Sequence, residues 1–133
     1  MGKLSIGQKA SLKKKVTGED VQAFSRLSMD TNPVHLDEDY ASQTVFQKRI
    51  AHGFLVGSYI SAVIANELPG PGTIYLHQEM NFKKPVFWDD EIEAEIEIIE
   101  EIKPTIFKLR TICRNQNNEV VIDGYAVVKK VEK

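Results

Sequence analysis

The chain has 133 residues, of which 42% are hydrophobic and 27% charged, and this suits one globular domain over residues 1–133. Its formal net charge of -2 excludes the broad positive surface of a nucleic-acid-binding protein. No apolar segment is long enough to cross a bilayer, and the single cysteine, Cys113, can form no internal disulfide. Since the first residues also lack the apolar core of a secretory signal, we expect a cytoplasmic protein that binds neither nucleic acid nor membrane.

The first part of the sequence predicts a strand and then a helix. Residues 9–16 favour a strand, and the lysines at 13–15 are typical of a solvated edge. Thr17 followed by Asp20 forms the pattern of a capping box, which predicts a helix start. The helix is expected to end near Met29. Its inner face is predicted to carry Val21, Phe24, Leu27 and Ser28.

A chain reversal and two further helices are predicted next. Pro33 disfavours helical geometry at Asn32, so the first helix must stop there. Asp37 can cap a short helix that continues to about Ser42. Residues 52–68 are the strongest helical segment and are apolar nearly all round, which is typical of a helix in the middle of a protein. The Pro-Gly-Pro-Gly sequence at 69–72 ends it.

The rest of the chain predicts antiparallel strands. They are expected at residues 73–83, 91–101, 105–114 and 119–131, with a turn at 115–118. In the second of these, glutamates alternate with aliphatic residues, which indicates one solvated and one buried face rather than a metal site. A buried helix followed by such strands is an α+β layout. A sheet curling around this helix gives the hot-dog fold.

Titratable groups, a forced chain reversal and the start of a buried helix coincide only in residues 30–53. Asp30 and His35 taken singly are most often surface residues. Pro33 fixes the turn between them, however, and Asn32 can hold that turn through hydrogen bonds to nearby backbone. The two side chains can then face one pocket. A carboxylate within hydrogen-bond reach of an imidazole makes a general acid–base pair near neutral pH.

The helix that follows offers three more candidates. Gly53 lies in the first turn, where backbone N–H groups are unpaired and a ligand oxygen can approach closely, although a glycine there also suits a plain tight helix entry. His52 is expected to be structural, either capping the helix or packing at its start. Ser61 can bond back to a carbonyl one turn earlier or reach into a polar pocket.

These motifs resemble the hydratase-2 signature of MaoC-like proteins, in particular the (R)-hydratases linked to polyhydroxyalkanoate synthesis. The signature is D-x-N-P-[LIV]-H followed by a small residue, and the resemblance covers nearly the whole chain. The matching segments are residues 30–35 with Ala41, 51–55 with Ser61, 68–70 with 72–76, and 82–86.

The resemblance implies reversible addition of water to a trans-2-enoyl-CoA, which gives an (R)-3-hydroxyacyl-CoA. It assigns Asp30 to the water and His35 to C2, although such a pair can share its proton. Gly53 would supply the oxyanion contact, and Asn32 and Ser61 would orient the pair or the water. It requires no redox cofactor and no metal. The resemblance also implies a homodimer with the acyl pocket near its interface. Arg49, Lys83 and Lys84 are candidates to meet the CoA phosphates, although ordinary surface solvation explains each of them equally well.

Three alternatives remain at the level of the sequence. A hot-dog thioesterase generally has a carboxylate on or beside the central helix, and here none precedes Glu67. A dehydratase that acts on an acyl carrier protein would use the same Asp30 and His35, so only substrate preference separates it. A non-catalytic acyl-binding module would have no need of a proton relay.

Overall fold

A computed structural model describes residues 3–131 and confirms the α+β layout. Its elements are β1 Lys9–Lys15, α1 Gly18–Ser28, α2 Pro33–Leu36, α3 Glu38–Ser42, α4 Gly53–Asn66, β2 Thr73–Phe82, β3 Glu91–Lys103, β4 Ile106–Arg114 and β5 Val120–Lys130. Within these residues five strands form one sheet in the order β1-β3-β4-β5-β2, and every neighbouring pair is antiparallel. The sheet therefore has β1 and β2 at its two edges, and α4 packs against its inner face, as in hot-dog proteins.

The alternation in β3 defines which face of the sheet is buried. Ile92, Ala94, Ile96 and Ile98 are all fully buried, whereas the glutamates between them face outward. Cys113 of β4 is also fully buried and packs as a small apolar residue, and burial raises the pKa of its thiol to about 12. The predicted solvated face and buried face of this strand are both confirmed.

The helix α1 begins as predicted but buries different residues. Thr17 accepts a hydrogen bond from the Asp20 amide, and the Asp20 side chain accepts one from Thr17, so the capping box is confirmed. The prediction that Ser28 faces inward is wrong, and so is that for Leu27, of which 84% is exposed. Ser25 is buried in its place, at 3% exposure, because its hydroxyl has a polar partner inside the protein.

The helix α4 is less enclosed than its composition predicts. One face is buried and includes Val56, Ile60 and Val63, but Phe54 on another face is 68% exposed. The prediction that the helix is surrounded is thus wrong for a single chain, because one open sheet covers only one side of it. In the described residues no helix has the length and apolar character needed to cross a membrane.

The close contact between β5 and β2 predicts the effect of one substitution. A Cβ at Gly124 would lie 1.9 Å from the carbonyl oxygen of Glu79, which is backbone and cannot turn aside. Gly124→Ala should therefore lower the free energy of unfolding by roughly 1–3 kcal/mol, the usual cost of overpacking. Urea denaturation measures this, with Ser11→Ala on exposed β1 as the control. Equal stability of the two variants would contradict the register of β2 against β5.

Candidate active site

The turn between α1 and α2 is held by a chain of short hydrogen bonds. Met29 adopts a left-handed conformation, at φ 70°, and ends α1. The Asp30 amide donates to the Ser28 hydroxyl at 3.1 Å, and the Asn32 amide donates to Asp30 Oδ1 at 3.3 Å. Asn32 Oδ1 in turn accepts from the Val34 amide at 3.2 Å and caps α2. The predicted role of Asn32 in holding the turn is confirmed, and the Asp30 carboxylate is oriented by the same turn.

His35 projects from α2 and is only 8% exposed. Its Nδ1 lies 2.8 Å from the carbonyl oxygen of Ile50. Because a carbonyl oxygen only accepts, Nδ1 must carry the proton, and Nε2 of the neutral ring has a free lone pair. The Ile50 amide also donates to the Val34 carbonyl at 3.2 Å. Two bonds therefore join α2 to residue 50, and they leave Nε2 as the nitrogen that can exchange a proton.

His52 links the two candidate catalytic residues. Its Nε2 lies 3.0 Å from the Asp30 carbonyl oxygen and 3.1 Å from the Ser25 hydroxyl, so Nε2–H donates to the Asp30 backbone. Its ring stacks on that of His35, with centroids 3.8 Å apart and planes inclined by 27°. Although His52 is the N-cap residue of α4, its side chain caps no amide among residues 3–131. Of the two predicted structural roles, packing is the one observed.

Asp30 and His35 are close but not directly bonded. They and His52 each offer a side-chain polar atom within 4.8 Å of the others. The expected hydrogen bond between the Asp30 carboxylate and the imidazole of His35 is not formed, because Nδ1 is taken by Ile50. Such a spacing fits a water molecule that contacts both groups. It does not favour a metal ion, since an ion in the plane of one of two stacked rings lies out of the plane of the other.

The surroundings of His35 favour its neutral form. Burial is the main cause that lowers the pKa of His35 below its usual value of 6.5, and neighbouring His52 lowers it further. The Ile50 carbonyl and the Asp30 carboxylate act in the opposite direction but do not cancel the effect of burial. A neutral imidazole with its lone pair on Nε2 is therefore the resting state near neutral pH.

Gly53 follows His52 directly and lines a cavity of about 400 Å³. Further walls come from Ile50, Ala51, Phe82 and Lys83. A Cβ at Gly53 would lie 2.6 Å from the ring of Phe82, so the absence of a side chain lets this ring approach the helix start. Within residues 3–131 no oxygen accepts from the Gly53 amide, as expected in the first turn of a helix.

The structure does not bring every predicted residue to one place. Asp30 and His35 adjoin the start of α4 through His52 but do not line the cavity itself. Ser61 is exposed, eight residues along α4 from Gly53, hence roughly 12 Å away along the axis. Its hydroxyl makes no hydrogen bond with any group of residues 3–131, so a bond back to a carbonyl one turn earlier is absent, unlike that of Ser58 to Leu55. Its role in orienting the pair or the water has no contact to support it.

The three basic candidates for CoA phosphates also separate. Lys83 and Lys84 line the cavity, and Lys84 lies 3.5 Å from Glu119. Arg49 is engaged elsewhere, because its guanidinium stacks on Trp88 at 3.7 Å and pairs with Glu38 at 3.1 Å. The position of Arg49 therefore does not support the prediction that it meets the ligand. Lys83 and Lys84 remain candidates because both line the cavity.

Comparison with known proteins agrees with this architecture. Residues 4–121 match the family model described as the MaoC like domain. The chain is 46% identical over 123 residues to the (R)-specific enoyl-CoA hydratase of Rhodospirillum rubrum, covering 92% of this chain and 85% of that protein. It is 44% identical over 128 residues to the (R)-specific enoyl-CoA hydratase of Aeromonas caviae, covering 95% of each.

A solved structure gives the same result for the fold. The unliganded R-hydratase PhaJ1 from Pseudomonas aeruginosa superposes with a TM-score of 0.93 at 44% identity, covering 98% of this chain and 84% of that one. The chain therefore belongs to the MaoC-like family of hot-dog proteins.

The depressed pKa of His35 predicts how stability depends on pH. The unfolded chain protonates this residue at about 6.5, whereas the folded chain does so only at lower pH, so protons favour unfolding. As the pH falls from about 7.5 to about 5.5, the wild type should lose more unfolding free energy than His35→Gln. Urea denaturation across this range checks the difference. The carboxyl groups with lowered pKa, Asp20 and Glu119, are the same in both proteins and cancel. Parallel curves would contradict the burial of His35.

Proposed function

We propose that this protein is a hydro-lyase that adds water to trans-2-enoyl-CoA to give (R)-3-hydroxyacyl-CoA, and that it also catalyses the reverse dehydration. The observation that carries the proposal is that the Asp30 carboxylate lies close to a neutral His35, whose Nε2 has a free lone pair, next to the unpaired amides of α4. The activity of the Rhodospirillum and Aeromonas relatives supports the same reaction.

A single nitrogen, His35 Nε2, can both accept the proton from water and donate it to the substrate. A water between Asp30 and His35 donates one hydrogen bond to the carboxylate and one to Nε2. As its oxygen bonds to C3, Nε2 takes the second proton, and the carboxylate stabilises the imidazolium that forms. Nε2 then returns the proton to C2 of the enolate, so that the elements of one water molecule are added and the enzyme is regenerated. Asp30 orients the water, and His35 delivers the proton to C2.

The thioester oxygen gains negative charge during this step. We propose that the Gly53 amide, at the positive end of the α4 dipole, donates to that oxygen. Such a contact is stronger in the transition state than in the substrate, and losing one in other enzymes costs roughly 3 kcal/mol. The cavity beside Gly53 would hold the acyl thioester, with Lys83 and Lys84 at its wall.

Substitutions at the pair test the proposal. Asp30→Asn and His35→Gln should each lower kcat for crotonyl-CoA by about 10²- to 10⁴-fold, because the first removes the carboxylate that orients the water and stabilises the imidazolium, and the second removes the group that transfers the proton. The loss of conjugated thioester absorbance gives the rate, and chiral analysis of the product gives the configuration. Asp39→Asn, an exposed acid on α3, is the matched control and should retain wild-type activity.

Three outcomes of this assay would redirect the assignment. Release of free CoA would indicate a thioesterase, and binding without turnover by the wild type would indicate an acyl-binding module. A strong preference for an acyl-carrier-protein substrate over crotonyl-CoA would favour the related dehydratase. If Asp30→Asn and His35→Gln kept full activity while folded, the acid–base pair would be wrong.

We also propose that the protein is a homodimer that pairs through β2 and α4. The strand β2 is a ten-residue edge strand with exposed apolar residues, and a long edge of this kind is prone to pair with another chain. Ile74, Leu76 and Phe82 are 48%, 52% and 51% exposed, and Phe54 of α4 lies against Phe82 with ring centroids 6.0 Å apart. A second copy of the chain would cover this surface.

Light scattering during size-exclusion chromatography tests the dimer. The wild type should have the mass of two chains, and Leu76→Lys should weaken the dimer at least about tenfold, since it places a charge in an apolar contact. Ile102→Lys replaces an equally exposed strand residue, on β3, and should leave the mass unchanged. A wild type with the mass of one chain at micromolar concentration would contradict the proposal.

The proposed location is the cytoplasm. Cys113 is buried and unpaired, as is ordinary for proteins of a reducing compartment. Cell fractionation of the tagged chain tests this, and a membrane or secreted fraction would contradict it.

A further inference from the structure

The helix that carries His35 is too short to be stable by itself. It spans four residues, Pro33–Leu36, and an isolated helix of this length does not form in water. Its C-terminal carbonyls lack helical partners and must be satisfied from outside. The His35 carbonyl accepts a hydrogen bond from Trp88 Nε1 at 3.0 Å. In addition to the bond between its Nδ1 and Ile50, this hydrogen bond attaches His35 to a second residue that is distant in sequence.

Trp88 is itself held in place on more than one side. The guanidinium of Arg49 lies 3.7 Å from the centre of the Trp88 ring, and Glu38 fixes that guanidinium at 3.1 Å. The ring also lies against Gly18, the first residue of α1, where an added Cβ would be 2.4 Å from a ring carbon. Because only glycine leaves this space, the sequence of α1 is adapted to the tryptophan.

We propose that Trp88 is a positioning residue for His35, clamped by Arg49 and Gly18, and that its indole N–H fixes the direction in which Nε2 points. This inference rests on the proposed function, since it assumes that His35 transfers the proton. Trp88 does not line the cavity beside Gly53, so it acts through the backbone of His35 and not on the substrate. Its loss should therefore affect kcat much more than KM.

A purely structural role makes a different prediction. If Trp88 only filled space, phenylalanine could replace it without loss of activity, because an aromatic ring would still lie under Arg49. Trp88→Phe keeps an aromatic ring but removes the indole donor. We expect kcat for crotonyl-CoA to fall roughly tenfold, the scale of one lost hydrogen bond, with KM changed less than about twofold. Lys108→Gln, which removes a similar cation–aromatic contact with Tyr125 on another part of the sheet, should leave both constants unchanged.

The pH profile gives a readout that simple packing would not move. Burial is the main cause that lowers the pKa of His35, and its titratable neighbours Asp30 and His52 remain in the variant. A looser α2 admits water, so the acidic limb of kcat/KM should shift to higher pH, toward the usual histidine value. An unchanged kcat and an unchanged acidic limb in folded Trp88→Phe would overturn the proposal.

A second variant displaces Trp88 without changing it. Gly18→Ala places a Cβ against the ring, while alanine favours the helix more than glycine, so α1 itself is not weakened. The chain has a single tryptophan, and its indole N–H gives one signal in a 15N NMR spectrum. We expect faster solvent exchange of that N–H in Gly18→Ala, together with the same loss of kcat. Faster exchange in Gly18→Ala together with a wild-type kcat would overturn the proposal. This test holds even if Trp88→Phe fails to fold.

The two proposals fail in different ways. If Asp30→Asn and His35→Gln remain active, the acid–base pair is wrong, and the role of Trp88 falls with it. If those variants are inactive while Trp88→Phe and Gly18→Ala have wild-type kcat and pH profiles, the pair stands and only the positioning role is overturned.

Discussion

The hydrogen bond from His35 Nδ1 to the carbonyl oxygen of Ile50, 2.8 Å long, is the contact on which the site depends. It buries the imidazole against backbone, sets its tautomer and leaves Nε2 as the nitrogen that is proposed to transfer the proton. The amide of Ile50 donates to the carbonyl oxygen of Val34, and the amide of the next residue, Ala51, donates to the Val86 carbonyl at 2.7 Å. One extended segment therefore ties α2 to the start of α4 and to the chain before β3.

The two stacked histidines donate from different ring nitrogens, because each ring has a different nitrogen next to a backbone carbonyl. His35 donates from Nδ1 to Ile50, whereas His52 donates from Nε2 to the Asp30 carbonyl. His52 thus fixes the backbone of Asp30 while its ring supports that of His35, although His52 takes no proton in the proposed reaction. Because Gly53 comes next in the chain, the proposed oxyanion donor is positioned by the same residue. The pair and the helix start are in this way parts of one rigid arrangement.

Local patterns predicted much of the fold, because each depends on neighbours in sequence. Thr17 and Asp20 defined the start of α1, and the alternation in β3 defined the buried face of the sheet. The burial of Leu27 was wrong, because the contact that decides it, between Ser25 and His52, joins residues far apart in sequence. The helix α2 was missed, although Asn32 as a cap and Pro33 at the first helical position were local signals for it.

The sequence indicated which residues lie together in the candidate site, but it did not indicate which hydrogen bonds they form. The Pro33 turn indicated that Asp30 and His35 share a pocket, but a direct bond between them was expected and Ile50 takes that position instead. A backbone carbonyl has no sequence signature, so no pattern could reveal this competitor. The same holds for Trp88, whose partner is the carbonyl of His35. A single tryptophan in the segment between β2 and β3 indicated no role by itself, and the structure reveals one by placing Gly18 and Arg49 around its ring.

The positions of the protons on the histidine rings are the decisive property of this site. A 15N NMR spectrum of the wild type, labelled on its three histidines and recorded at about pH 8, distinguishes protonated from unprotonated ring nitrogens; His35→Gln and His77→Gln give the assignments. We expect His35 to carry its proton on Nδ1 and His52 to carry its proton on Nε2. A His35 protonated on Nε2, or one that exchanges between both forms, would contradict this expectation.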